Sequence, residues 1–411
     1  MNFHYAIDPR SVLSPFHWCL KFINHLRYTW LNGRSTTRAT VDVFINLSLV
    51  LLWIILSKVV SWIPNSIRPP IYVRLCMRLD EYVFSMHPYW MGSILSLICI
   101  CAGGWLIYNK FYRSISVVLP NAIELTKIGH STDVSSTSSS EMEHEIGFKS
   151  WMDEPFSKHE FVRSYKYAPL ILCFSSWFLL NLVYRFHKNY NIVKGIIAWA
   201  FYVVLHFLVP IVTSLWLYLF QPQGATALFW WNLGSQNLMA LITHFIFPNA
   251  PPLYIRVYGD NKPPSYDMKF TDGISRSDMK IGPHIHKAVY WATPSKFGAL
   301  PSLHSATAVT AFLFACYYSR YNTIKALAFL YIILQWWAAV YSEHHWRVDL
   351  LTGMFYSLGT FTFFHSYTGS FQKMDQQFIK SRQKGDLRAG TTAGMRLFAN
   401  SRFSNWFDPL S

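Results

Sequence analysis

Two short polar segments that carry histidine interrupt the apolar C-terminal half of the chain. One is Pro301-Ser302-Leu303-His304, and the other runs from His345 to Asp349. His345 and Asp349 share a helix face if their helix begins early enough, since they are four residues apart. The carboxylate would then fix one ring nitrogen and leave the other nucleophilic. His304 could protonate a leaving oxygen, and the N–H groups after Pro301 favour an anion such as phosphate.

The chain between the two histidines brings them back to one side of a membrane. His304 and His345 are separated by one apolar run outward, a short turn at 319–322 and one apolar run back. A single histidine or aspartate there would more simply mark the polar end of a span. The joint pattern on one face is what indicates a site.

The composition requires long buried or lipid-facing elements. Of 411 residues, 52% are apolar and only 14% are charged, which excludes a disordered chain, and six cysteines are too few for a disulfide scaffold. An uninterrupted apolar run of about 18 residues or more predicts a transmembrane helix. Eight runs fit: 41–63, 90–108, 168–184, 192–220, 225–247, 302–318, 323–342 and 350–367. We therefore predict an all-α polytopic membrane protein.

The segments between the runs predict the topology. They are a basic arm (1–40), a loop (109–167) with a disordered Ser-rich stretch at 131–145, a loop at 248–301, and a basic tail (370–411). Basic segments favour the cytoplasm, so both termini and the loop 109–167 are predicted there, and the loop 248–301 is predicted to be lumenal. That loop's seven Lys/Arg against four Asp run counter to this rule.

The two polar segments carry a family resemblance. Pro301-Ser302-x-His304 followed by His345-x-x-x-Asp349 resembles the second and third signatures of the type 2 phosphatidic acid phosphatase superfamily. The segments 250–259 and 297–306 resemble its fungal inositol phosphorylceramide synthase branch. The resemblance covers about 165–370 and implies a six-helix catalytic core at 168–369, with the two helices in 41–108 as an addition.

The departures from the phosphatase pattern favour a transferase. Leu303 replaces the usual Gly between Ser and His. The first signature, Lys-x6-Arg-Pro, is absent, because Ser61 occupies the Lys position before Arg68-Pro69. Ala339 replaces the Arg expected six residues before the nucleophilic His. The sphingolipid phosphotransferase branches of the superfamily similarly lack these Lys and Arg residues.

The resemblance implies roles for the residues. His345 would attack a phospholipid phosphorus and form a phosphohistidine, Asp349 would orient it, and His304 would protonate the departing diacylglycerol oxygen. Three residues are expected to hold phosphate oxygens: Ser302, Lys296 and Arg347.

The implied reaction is transfer of phosphoinositol from phosphatidylinositol to ceramide or an inositol-containing sphingolipid, without a metal or other cofactor. The expected place is the Golgi or endoplasmic reticulum membrane, with the site on the lumenal side. A small regulatory membrane subunit fits the resemblance, although no residue indicates one, and no basic soluble domain exists to dock nucleic acid. Two alternatives stay open: a lipid phosphate phosphatase using the same three residues, and a catalytically idle membrane scaffold.

Overall fold

The computed structural model describes residues 14–113, 165–268 without 188 and 190, and 297–409 without 400 and 402. The described chain is almost entirely helical, which confirms the predicted all-α class. The predicted Ser-rich stretch at 131–145, Lys296 and most of the loop 248–301 lie outside the described residues. The helices in chain order are α1 Ser14–Leu31, α2 Thr36–Ser61, α3 Leu75–Phe84, α4 Trp90–Ile107, α5 Ala168–Phe186, α6 Ile192–Phe220, α7 Ala225–Ile246, α8 Pro252–Tyr258, α9 Leu303–Tyr318, α10 Asn322–Tyr341, α11 Arg347–Thr362, α12 Ser370–Gln383 and α13 Ala393–Leu397.

Several of these helices can cross a bilayer, and the protein is an integral membrane protein. Within the described ranges, five helices are long and apolar enough by length and composition: Thr36–Ser61, Trp90–Tyr112, Tyr165–Phe186, Ile192–Phe220 and Asn322–Tyr341. The other three predicted runs are also helical, as α7, α9 and α11. The count of eight spans stays a prediction.

Helix α6 contains an irregular turn that matters for the site. Asn191 caps its start by accepting a hydrogen bond from the N–H of Val193 at 2.8 Å. Its middle, Ala200–Leu205, widens into a π-helical turn, and Pro210 lies inside the next segment, where it can donate no backbone hydrogen bond. Such turns shift the register of the following side chains and are frequent at functional sites.

The N-terminal helices pack directly on the core. The backbone of Gly234 in α7 lies against Leu49 of α2, and Gly104 of α4 lies against Cys173 of α5. Both contacts need glycine, because an added Cβ would overlap its neighbour. The predicted addition, 41–108, is therefore built into the bundle.

Helix α1 and the described part of the C-terminal tail gather at one end of the bundle. Asp375 of α12 accepts a hydrogen bond from Tyr317 at 2.6 Å, near the C-terminal end of α9, whereas His304 is in the first turn of that helix. His25 of α1 contacts the carbonyl of Leu397 at 2.8 Å. Within the arm predicted only as a basic segment, residues 14–31 thus form a helix, and this helix docks on the folded tail opposite the histidines.

Candidate active site

Three chain segments meet at the other end of the bundle through Asn249. Isolated parallel β-bridges join Asn249 to Tyr72 and to Gly298. The buried Asn249 side chain accepts hydrogen bonds from the N–H groups of Ala299 and Leu300, each at 3.0 Å. This amide fixes the backbone just before α9.

His345 lies just before α11 rather than within it. Trp346 is the N-cap, and its N–H donates to Asp349 Oδ2 at 2.8 Å, so the helix begins at Arg347. Asp349 Oδ2 is also 3.8 Å from His345 Nδ1. The closer partner of that nitrogen is the carbonyl of Ala299, at 3.0 Å.

The Ala299 contact sets the chemistry of His345. A carbonyl oxygen can only accept, so His345 Nδ1 carries the proton and Nε2 keeps its lone pair. The ring is 7% exposed and Asp349 is fully buried. The carboxylate can therefore stabilise positive charge that develops on the ring, while the backbone carbonyl holds the tautomer. Sequence reasoning found Asp349 but had no signal for Ala299.

His304 faces His345 from the first turn of α9. The two ring centroids are 5.6 Å apart. Ser302 is the N-cap of α9: its hydroxyl accepts from the N–H of Ser305 at 3.4 Å, and its own N–H donates to the Asp349 carbonyl at 3.0 Å. The buried Ser302 therefore couples the two helix starts.

Gly353 allows α9 and α11 to approach each other at this point. A Cβ on Gly353 would overlap the Ser302 carbonyl oxygen and press on Ser305. The Ser305 hydroxyl in turn donates to the Leu350 carbonyl at 2.6 Å and accepts from Trp336 Nε1 at 2.8 Å. The separation of the two histidines thus depends on a contact between two backbones.

Sequence reasoning missed Tyr202 and His206, two α6 side chains that lie against His304. The π-helical turn of α6 places the Tyr202 ring flat on His304, with centroids 3.8 Å apart and planes 14° apart. The ring centroid of His206 lies 4.1 Å from that of His304. The buried Nδ1 of His206 has no hydrogen-bond partner among the described residues. The ring centroids of His344 and Tyr202 are 4.8 Å apart. These residues sit within or next to apolar runs, so only a helical wheel centred on α6 would have paired Tyr202 with His206.

One of the predicted phosphate ligands, Arg347, is not brought to the histidines. The Arg347 guanidinium lies against Asp80, with Nη2 at 2.7 Å from Oδ2, and donates from Nη1 to Asn181 at 2.8 Å. This buried side chain is held by protein groups and does not point at His304. Lys296 lies outside the described residues.

A buried thiol lies beneath the site. Cys76 of α3 is fully buried near Asp349. Burial raises the pKa of this thiol, and the carboxylates of Asp349 and Asp80 raise it further. Cys76 therefore stays neutral and does not compete as a nucleophile. Across the described part of the chain, no three His, Cys, Asp or Glu side chains are arranged to hold a metal ion.

Sequence comparison finds one family model and several curated relatives that match this chain. Residues 169–363 match the model of the PAP2 superfamily. The chain is 23% identical to inositolphosphotransferase 1 of Saccharomyces cerevisiae, over 95% of this chain and 98% of that protein. It is 34% identical to the inositol phosphorylceramide synthase catalytic subunit of the same yeast, over 40% of each chain. It is 31% identical to phosphoinositol dihydroceramide synthase of Bacteroides thetaiotaomicron, over 38% of this chain and 51% of that protein.

These matches confirm the predicted resemblance to the PAP2 superfamily and to its inositol phosphorylceramide synthase branch. The match to the two synthases spans only about half of their length or less. The family-model match, residues 169–363, contains both histidine segments. No solved structure matches the chain.

Proposed function

We propose that this chain, with its PAP2 superfamily segment at 169–363 and its relatives among inositol phosphotransferases, is a membrane lipid phosphotransferase. It moves phosphoinositol from phosphatidylinositol to ceramide or to an inositol-containing sphingolipid. The observation that carries the proposal is the pairing of His345, with Nε2 free to attack, and His304 at a centroid distance of 5.6 Å.

The first half of the reaction uses both histidines. His345 Nε2 attacks the phosphorus, and the bond from phosphorus to the glycerol oxygen breaks. His304 gives its proton to that oxygen, which releases diacylglycerol. The positive ring of the phosphohistidine is stabilised by Asp349, 3.8 Å from Nδ1.

The second half reverses the proton movement. The neutral His304 takes the proton of the acceptor hydroxyl, whose oxygen attacks the phosphorus. The bond from phosphorus to His345 Nε2 then breaks, and both histidines return to their starting forms. Tyr202, stacked on His304, keeps that ring in one plane through both steps.

His206 is the proposed contact for phosphate oxygens in place of the missing cations. It adjoins His304, and its Nδ1 has no protein partner among the described residues. His206→Phe keeps the ring packing but removes both nitrogens. We expect kcat/KM for transfer to fall about tenfold or more, because one bond to a charged group is lost. His187→Phe, an exposed histidine at the end of α5, serves as the control and should leave kcat/KM unchanged.

The proposed topology places the site on the lumenal side of the Golgi or endoplasmic reticulum membrane. The basic arm and tail dock together at the opposite end of the bundle from the histidines, which supports a cytoplasmic position for that end. A small regulatory membrane subunit stays a prediction.

A lipid product assay tests the proposal. Detergent-solubilised protein is incubated with inositol-labelled phosphatidylinositol and ceramide, or with a mannosylated inositol ceramide, and the lipids are separated. We expect a labelled sphingolipid from wild type and none from His345→Ala. Release of free phosphate from a lipid phosphate supplied to the same protein, without a labelled sphingolipid, would favour the phosphatase alternative, and the absence of any product would favour the idle scaffold.

A further inference from the structure

Helix α3 contributes a side chain to the start of α11, although it lies outside the segment 169–363. Asp80 is 3% exposed. Its Oδ2 accepts from Arg347 Nε at 3.0 Å and Nη2 at 2.7 Å, and its Oδ1 accepts from the N–H of Val348 at 3.1 Å. Asp80 thus satisfies one of the first-turn N–H groups that a helix leaves unpaired.

The surroundings of this ion pair fix it in one geometry. The Arg347 guanidinium lies over the ring of Tyr184 at 4.1 Å and over the ring of Phe84 at 4.8 Å. Asn181 Oδ1 accepts a further hydrogen bond from Arg347 Nη1 at 2.8 Å. An ion pair with two bonds to one carboxylate oxygen, enclosed in this way, has little freedom to shift.

The segment between His345 and the ion pair is also held from the opposite side. Trp346 Nε1 donates to the carbonyl of Ala250 at 3.1 Å, and the N–H of Leu253 donates to the carbonyl of Glu343 at 2.9 Å. The residues before α11 are anchored on the 250–253 segment, and the first turn of α11 is anchored on α3. Without either anchor, the backbone of His345 would be able to shift relative to Asp349.

We propose that Asp80 is a positioning residue for the transfer reaction: through Arg347 and Val348 it holds the first turn of α11, and so the spacing of His345 and Asp349. This inference rests on the proposed function. It makes the N-terminal helices part of the catalytic apparatus rather than a membrane anchor alone.

A charge-free double variant tests the proposal. Asp80→Leu with Arg347→Met removes both charges together, a replacement that buried ion pairs usually tolerate. The matched control is Asp408→Leu with Arg382→Met, which removes the buried bidentate pair of the tail, with bonds of 2.8 and 2.6 Å, at the far end of the bundle. We expect kcat to fall about tenfold or more in the first variant with KM within about twofold, and the control to keep wild-type kcat.

Wild-type kcat in a folded Asp80→Leu/Arg347→Met protein would overturn the proposal. If that protein does not fold, Asp80→Asn with Arg347→Gln keeps a polar side chain at each position but loses the guanidinium bonds to residue 80 and Asn181, and it should lower kcat in the same way. Failure of both pairs to fold, when the tail control folds, would also overturn it, because the pair would then be a folding requirement.

A second readout separates this inference from the proposed function. The rate at which diethyl pyrocarbonate modifies His345, followed by peptide mass spectrometry, needs no turnover. We expect it to rise about threefold or more in the Asp80/Arg347 variant and to be unchanged in the tail control. If wild type transfers no phosphoinositol, this rate alone decides: a rise supports positioning by Asp80, and an unchanged rate overturns it.

Discussion

Replacing Asp349 with Asn isolates the charge that faces His345. The amide oxygen can still accept the N–H of Trp346, so the cap of α11 survives and only the negative charge is lost. Asp349 Oδ2 is 3.8 Å from Nδ1 of His345. A full positive charge at that distance is stabilised by about 4 kcal/mol at an effective dielectric constant of about 20.

The phosphorylated ring carries that charge fully, and the transition state carries part of it. Half the charge corresponds to about 2 kcal/mol, or about 30-fold in rate, and the full charge to about 1,000-fold. We expect kcat for phosphoinositol transfer by Asp349→Asn to fall within this range. The assay is the initial rate of labelled sphingolipid formation at saturating lipid, with thermal unfolding followed in parallel.

A matched variant separates charge from capping. Thr392→Ala removes the cap of α13, where the hydroxyl accepts the N–H of Met395 at 3.2 Å, at the far end of the bundle. It should lower stability by about 1 kcal/mol without changing kcat. If Asp349→Asn is folded and its kcat is within about threefold of wild type, the carboxylate does not stabilise the reacting ring and the reasoning is refuted.

Three further predictions concern the framework of the site and the docking of the tail. Gly353→Ala should lower the free energy of unfolding by about 1–3 kcal/mol and reduce transfer, because its Cβ meets the backbone oxygen of Ser302 just before α9. Gly359→Ala, in the same helix with nothing within 4 Å of its Cβ, is the control and should not destabilise the protein. Equal melting temperatures for the two variants would contradict the close approach of α9 and α11. Asn249→Ala should lower the free energy of unfolding by about 1–3 kcal/mol and lower kcat, since the N–H groups of Ala299 and Leu300 lose their acceptor. Asn249→Asp keeps an acceptor oxygen and should retain activity. Burial raises the pKa of Asp375 to about 7, above its unfolded value, so its contribution to tail docking is present at low pH and is lost as pH rises through about 7. The protection of α12 amides, relative to the intrinsic exchange rate at each pH, should therefore fall over that range, and the same fall in Asp375→Asn would contradict this assignment.

The sequence predicted the parts of the site that depend on local spacing. Apolar runs locate the long helices because each must bury or expose a continuous apolar surface in lipid. The four-residue spacing of His345 and Asp349 also identified two groups that lie together. It did not predict that α11 begins only at Arg347, because that boundary is set by the hydrogen bond from Trp346 to Asp349.

The rest of the site depends on contacts between distant segments. Tyr202 and His206 reach His304 through a π-helical turn that no periodicity reveals. The partner of Arg347 is 267 positions away, so an arginine that the family pattern suggested for phosphate is instead held by Asp80. Ala299 acts through its carbonyl, which is independent of residue type.

Capture of the covalent intermediate tests the account most directly. Wild-type protein is mixed with labelled phosphatidylinositol in the absence of acceptor, quenched under alkaline conditions that preserve phosphohistidine, and digested for mass spectrometry. The account predicts inositol phosphate on the peptide containing His345, together with a matching burst of diacylglycerol, and neither in His345→Ala. Diacylglycerol released only when the acceptor is present, with no label on His345, would contradict a nucleophilic histidine.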